Sequence, residues 1–352
     1  MYDTTNDLPA PNFTYDPQTD LIAGIRPCRE ETYRLEAEQV GSKLVVHNYG
    51  HGGAGITMAL GCAHKVREMI AASGLASAGT PVAILGGGVM GLTAATLLRE
   101  MNLSVTMYAK AFANTTSDRA GGQWAPSLVK HKDTAAAKQH FEDILRTAFR
   151  GYEALIGKGY GVYRRPNYTW TETPSFKKVP HDLIGPPTYL PRLPFQGHVR
   201  QDGYLYQTLL VEPPAFLNRL RTDLRAARVP MVEVDFKSPQ QLANLREQIV
   251  VNCLGLGSRR LWQDSKLVPM KGQLILLKPQ HELQYLYSGT GYGGYIFPRE
   301  DKVVVGGTGE SCNEDDTPHD GMCAELIDLH KTAFAGGAFI KRVLPDWILK
   351  DK

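Results

Sequence analysis

The sequence predicts an α/β (α+β) protein of two domains, one a parallel-sheet domain that binds a dinucleotide, the other built on a mainly antiparallel sheet. Three observations carry this. First, Val82–Leu85 is a continuous apolar run, as a strand covered on both faces requires. It enters the turn Gly86-x-Gly88-x-x-Gly91, then a helical pattern at Leu92–Met101 and a second apolar strand at Val105–Tyr108. Strand, glycine turn, helix and strand in that order make a Rossmann-like βαβ unit. Second, residues 159–210 are rich in Tyr, Pro and Gly and lack a helical period, which suits antiparallel strands. Third, 35 glycines and 22 prolines in 352 residues supply the turns that many strands need.

The remaining elements follow in order. Residues 1–20 and 341–352 read as surface termini. KLVVH (43–47) is a short strand, followed by a turn dense in glycine at Gly50, Gly52, Gly53 and Gly55. Ile56–Ala72 has apolar residues at helical spacing, and GLASAGT (74–80) links it to the first Rossmann strand. Helices are expected at 138–156, Pro214–Ala227 and Met322–Ala335. Strands are expected at Pro230–Asp235, Gln248–Cys253, Lys271–Leu277, Gly294–Phe297 and Lys302–Gly306. The division expected is 41–150 with 231–265 and 303–340 for the nucleotide domain, and 21–40 with 151–230 and 266–302 for the substrate domain.

Composition excludes several classes. Hydrophobic residues are 43% of the chain, enough for a large core. The net charge of +3 comes from 39 basic and 36 acidic residues spread along the chain, which argues against nucleic acid or an anionic membrane as partner. No apolar stretch is long enough to span a bilayer, and MYDTTNDLPAPNFTYDPQTD has no signal-peptide core. The five cysteines show no C-x-x-C spacing, so free thiols, no metal site and a cytoplasmic setting are expected. Homodimerisation is left open.

The fingerprint turn has a clear physical basis. Gly86 permits the tight bend, and Gly88 lets the backbone at Val89 and Met90 approach a pyrophosphate at the helix N-terminus. Gly91 lets the helix pack close to the sheet. The acid that often follows the second strand and binds a ribose hydroxyl is absent: Ala109, Lys110 and Ala111 stand there. That counts against an NAD-dependent dehydrogenase.

Several stretches resemble the D-amino acid oxidase family of flavoproteins. They are GIRPCRE (24–30), HNYGHGGAGITMALGCA (47–63), VAILGGGVMGLTAA, NTTSDRAGGQWAPSLV (114–129), VVNCLGLGSRRL (250–261), VPMKGQLILLK (268–278) and YGGYIFPREDKVVVGGT (292–308). In that family the first two lie at the end of the chain; here they come first, so the order resembles a circular permutant. Termini lie at the surface and often close together, which makes such a rearrangement physically feasible.

The resemblance implies FAD as cofactor, held by Gly86, Gly88, Val89, Met90 and Gly91, by the hydroxyls of Thr115, Thr116 and Ser117, and by Gly122, Gln123 and Trp124. Phe236 and Leu254 match the adenine and ribose side. Gly52, Gly53, Ala54, Gly55, Ile56 and Thr57 match a turn against the flavin ring, with Gly53 close to the substrate. Arg26 matches the carboxylate-binding arginine, with Arg29 as the nearby competitor. Tyr295 matches a pocket tyrosine, and either Tyr287 or Tyr292 matches a second. His47 and His51 are read as structural. Ala125 stands where the family usually has an amide facing the substrate.

The implied reaction is oxidation of an amino acid, most readily a D-amino acid, by hydride transfer from Cα to flavin N5. The imino acid hydrolyses to a 2-oxo acid and ammonia, and O2 is reduced to hydrogen peroxide. Two alternatives stay open: an oxidase or dehydrogenase of a secondary amine or specialised amine, and a flavin-binding protein without turnover.

Overall fold

The computed structural model describes residues 7–195, 202–288 and 294–335. The chain begins with β1 (Leu21–Arg29), β2 (Arg34–Val40), β3 (Lys43–Tyr49) and helix α1 (Gly55–Ala72). The βαβ unit follows as β4 (Pro81–Leu85), α2 (Val89–Glu100) and β5 (Ser104–Ala109), then helix α3 (Ala135–Glu153). Next come β6 (Val162–Thr169), β7 (Thr188–Leu190), β8 (Gly203–Val211) and a helix at Pro213–Ala226. The rest comprises β9 (Met231–Glu233), β10 (Ile249–Asn252), β11 (Leu267–Leu277), β12 (Leu286–Ser288), β13 (Tyr295–Pro298), β14 (Val303–Gly306), β15 (Glu310–Ser311) and a helix at Asp320–Phe334.

Two sheets organise these elements. The six-stranded sheet runs β2-β3-β10-β4-β5-β9, parallel except for β2. Its inner strands IVVN and VAIL are buried throughout, as coverage on both faces demands. The nine-stranded sheet runs β1-β11-β14-β13-β12-β6-β8-β7, with β15 beside β11, and is antiparallel except where β12 meets β6. Helices α1, α2 and α3 join the parallel sheet in the largest apolar core. Thr134 caps α3 by accepting a hydrogen bond from the Ala137 N–H at 3.2 Å.

The sheets group the chain differently from the expected domain division in three places. The segment 34–40 joins the parallel sheet, because a two-residue turn at Gly41 (φ +59°) folds β2 straight back on β3. The segment 303–306 joins the antiparallel sheet, because a short turn after Pro298 pairs β14 with β13. The helix at Asp320–Phe334 goes with it, packing Leu326 and Ile327 in one core with Ile275 and Val303. The helix at Pro213–Ala226, expected in the other domain, instead places Phe216, Leu217 and Leu220 in the core of the parallel sheet.

Candidate active site

A cavity of about 760 Å³ lies where the carboxyl ends of β3, β4 and β10 meet the free edge of β1. This is the crevice in which open parallel sheets bind ligands. Both glycine turns open into it. Gly86, Gly88, Val89 and Met90 bring the N-terminus of α2; Gly52, Gly53, Gly55 and Ile56 bring that of α1. Neither helix has an acidic residue in its first turn or a side-chain cap at its start. Two positive dipole ends therefore point at one space.

The glycines are required by geometry. Gly86 has φ +117°, and a Cβ there would stand 2.3 Å from the Cys253 carbonyl oxygen. Gly52 has φ +56°, and its Cβ would stand 2.1 Å from the Leu128 carbonyl oxygen. At Gly88 the missing side chain leaves room for hydroxyls. A Cβ would lie 3.0 Å from Ser117 Oγ and 4.0 Å from Thr115 Oγ1. Ser117 Oγ accepts the Val89 N–H at 3.1 Å, and Thr115 Oγ1 donates to Asp118 at 2.7 Å. Asp118 is itself held by Arg221 at 2.8 Å. The hydroxyl cluster is thus anchored to the core before any ligand arrives.

Arg26 lines the cavity from β1. Its Nη1 donates to the Thr308 carbonyl at 3.1 Å and, more weakly, to that of Lys271 at 3.4 Å. Among the described residues no carboxylate lies within ion-pair distance of it. Arg29 is different: Asp264 holds it at 2.8 Å and it does not line the cavity, so Arg26 is the arginine left free for an anion. Tyr295 and Phe297, two apart on β13, stack at 4.2 Å and form a cavity wall. Burial raises the Tyr295 phenol, and the Arg26 guanidinium partly offsets this, so it stays a neutral donor.

Thr116, Gly122, Gln123 and Leu254 also reach the cavity. Six expected contacts do not. In the irregular strip at 122–125, Gln123 and Ala125 line the cavity while Trp124 turns away into the core, edge-on to Phe149 at 4.8 Å. Ala54 in the turn before α1 and Thr57 in the first turn of α1 are buried away from the cavity, and Thr57 Oγ1 donates to the Ala125 carbonyl at 2.8 Å. Gly91 packs under Gly86 rather than on the cavity, a Cβ there lying 2.0 Å from the Gly86 oxygen. Phe236 belongs to the core on the opposite face of the parallel sheet. Tyr287 pairs with Ile296, one residue past Tyr295, and so projects to the far face, against Phe334 at 5.1 Å. Tyr292 lies outside the described residues.

Two cavity residues escaped the sequence reading. Asn48 is fully buried, and among the described residues its amide makes no hydrogen bond of good geometry; only the Cys253 thiol lies beside it. Arg119 lies on the wall beside Thr116. Among the described residues the walls carry no Asp or Glu; their cations are Arg26, Lys110 and Arg119. All five thiols are free, and no group of described residues could hold a metal ion. No described helix is long and apolar enough to cross a membrane.

His51 also reaches the cavity, but burial drives its pKa down to about 3 and its Nε2 lies 3.5 Å from Cys62 Sγ. His330, buried in the other core, is likewise pushed down to about 3 by burial. Both folded-state values lie below the ordinary imidazole value of 6.5, so their contribution is complete above that pH and is lost as pH falls toward 3. Burial of Glu212 raises its pKa to about 7 from 4.5, which acts in the opposite sense. His47, His64 and His140 are lowered by burial in the same sense, so the histidines outnumber Glu212 and stability falls on acidification below the ordinary imidazole value of 6.5. Denaturant midpoints at pH 7 and pH 5 are expected to show this fall, and His330→Phe should flatten it.

A glycine turn at a helix N-terminus beside anchored hydroxyls is the arrangement that takes a nucleotide cofactor, and Arg26 stands in the same cavity without a carboxylate partner among the described residues. The chain belongs to the FAD dependent oxidoreductase family DAO, whose model matches residues 81–347. It is 28% identical to the D-aspartate oxidase of Homo sapiens over 240 residues, 64% of this chain and 68% of that one. It is 26% identical to the D-amino acid oxidase of Dugesia ryukyuensis over 270 residues, 72% of this chain and 78% of that one. With the D-amino-acid oxidase of Streptomyces coelicolor the identity is 26% over 272 residues, 70% and 75% of the two chains. The family match begins at Pro81, yet the residues before it supply β1, β2, β3 and α1.

Proposed function

We propose that this protein oxidises an amino acid, a D-amino acid foremost, at its Cα–N bond. The imino acid would hydrolyse to a 2-oxo acid and ammonia, with O2 consumed and hydrogen peroxide released. The observation that carries this reading is Arg26: an arginine on the cavity wall, without a carboxylate partner among the described residues, in the same cavity as the fingerprint turn. The names of the D-amino acid and D-aspartate oxidase relatives support it.

The walls suit FAD. The bare Gly88 with its hydroxyls fits a pyrophosphate, and the Asn48 amide, which makes no hydrogen bond of good geometry among the described residues, offers a donor and an acceptor to a polar ligand edge. When bound, FAD supplies the two-electron acceptor. The chain's own residues do the rest. Thr115, Thr116 and Ser117 would hold the phosphate and ribose end; Gly52, Gly53, Gly122, Gln123 and Leu254 would shape the flavin end. Arg26 would grip the substrate carboxylate with its guanidinium fork, and Tyr295 would donate beside it, fixing which way Cα faces.

Among the described residues no carboxylate lines the walls, and burial keeps His51 neutral, so on this reading the substrate amine reaches the site neutral. The segment order supports a circular permutation of the family fold: the residues ahead of the family match complete both sheets and bring Arg26 and Gly53 to the fingerprint turn. The test is a panel of D- and L-amino acids, N-methylated amino acids and cyclic amines, read by peroxide and 2-oxo acid release from FAD-loaded protein. Turnover of amino acids is expected. Turnover of secondary amines alone would favour an amine oxidase, and no turnover with any of them a flavin-binding protein.

A further inference from the structure

We infer that Arg119 is a second anion-binding residue of the cavity and selects amino acids that carry a carboxylate on the side chain, an inference that rests on the function proposed above. Gly24 and Gly272 face each other across β1 and β11. Partners in an antiparallel pair project to the same face, with Cβ positions about 5 Å apart. A Cβ on Gly272 would stand 2.1 Å from Arg26 Nη1, and one on Gly24 would stand 3.5 Å from Arg119 Cβ and 3.7 Å from Cδ. The two arginine side chains therefore lie next to each other over one bare glycine pair, and both line the cavity.

Their charges are poorly neutralised. Arg26 has no carboxylate partner among the described residues. Arg119 has one, Asp316, at 3.2 Å, and that carboxylate is 66% exposed on the loop after β15. So exposed an ion pair holds its arginine weakly. All hydrogen bonds of Arg119 within the described residues leave through Nη1, to Asp316 and to the Ala23 carbonyl, so Nε and Nη2 carry no protein partner. An anion that reaches both side chains would be held by two charge-assisted donors rather than one. With the α-carboxylate on Arg26, the group that completes the site is a second carboxylate one short side chain away. Asp316 is then its competitor for the same guanidinium.

The experiment compares kcat/KM for aspartate with that for asparagine, its neutral isostere, in FAD-loaded wild type and three variants. Arg119→Met should lower the aspartate-to-asparagine ratio about tenfold or more, the loss of one charge-assisted contact. Arg119→Lys should keep part of the preference. Asp316→Asn, which removes the competitor, should raise the ratio. Were Arg119 only a cap on the β1 edge, both substrates would fall together and the ratio would not move. An unmoved ratio in Arg119→Met, or a ratio lowered by Asp316→Asn, overturns the inference while the oxidase reading stands. Failure of wild type to oxidise either compound of either hand, or any other amino acid, overturns the oxidase reading itself.

Discussion

Replacing Arg26 with leucine is expected to cut kcat/KM for carboxylate substrates by about a hundred- to ten-thousandfold, with FAD uptake intact. The range reflects two charge-assisted hydrogen bonds at about 1.5–3 kcal/mol each. Positioning adds to it, because a substrate not held by its carboxylate no longer presents Cα in one orientation. The fold should tolerate the change. Arg26 sits in register with Met270, and the β1–β11 ladder is made by backbone groups that leucine keeps. The side-chain bonds it loses end on two carbonyls, those of Thr308 and Lys271. Steady-state kinetics and the flavin absorbance of the purified variant separate the two effects. Activity within about threefold of wild type, far less than one lost hydrogen bond to a charged group, would remove Arg26 from the site.

Gly88→Val is expected to abolish FAD uptake, raising Kd at least about a hundredfold, the cost of blocking the backbone's approach to the pyrophosphate. The backbone itself is not strained: Gly88 has φ −83° and ψ −175°, which any residue adopts. The added methyls must instead occupy the cavity, since even Cβ would stand 3.0 Å from Ser117 Oγ. The apoprotein should unfold at a midpoint close to that of wild-type apoprotein, while flavin no longer quenches on addition of protein. A valine variant that purifies yellow would show that the cofactor does not lie on this turn.

The parts legible in the sequence are those where local chemistry and burial agree. Val82–Leu85 reads as an inner strand because all four residues are buried, and Gly86 and Gly91 are each demanded by a neighbouring backbone oxygen, Gly88 by the Ser117 hydroxyl. Strands β1 and β2 were harder to read. Their residues are mostly half-buried or exposed, so LIAGIRPCR and RLEAEQV carry no clean alternation. Two of the boundary differences come from tight hairpins that keep β2 and β14 beside the strands they adjoin, and the third from the apolar face of the helix at Pro213–Ala226, which packs on the parallel-sheet core. Side-chain facing was the other weakness. Tyr287 sits one step out of phase with the cavity on β12, and Trp124 turns into the core from an irregular strip; a motif match fixes neither orientation. Arg119 and Asn48 could not be found from sequence, because the pairing of Gly24 with Gly272 and the convergence of two helix N-termini exist only in the folded chain.

A single cavity shared by cofactor and carboxylate has a direct spectroscopic signature. FAD-loaded protein titrated with an unreactive monocarboxylate should show a saturable shift of the visible flavin band, and Arg26→Leu should show none. A wild-type flavin spectrum that stays unmoved by any carboxylate would mean that Arg26 and the fingerprint turn do not serve one site.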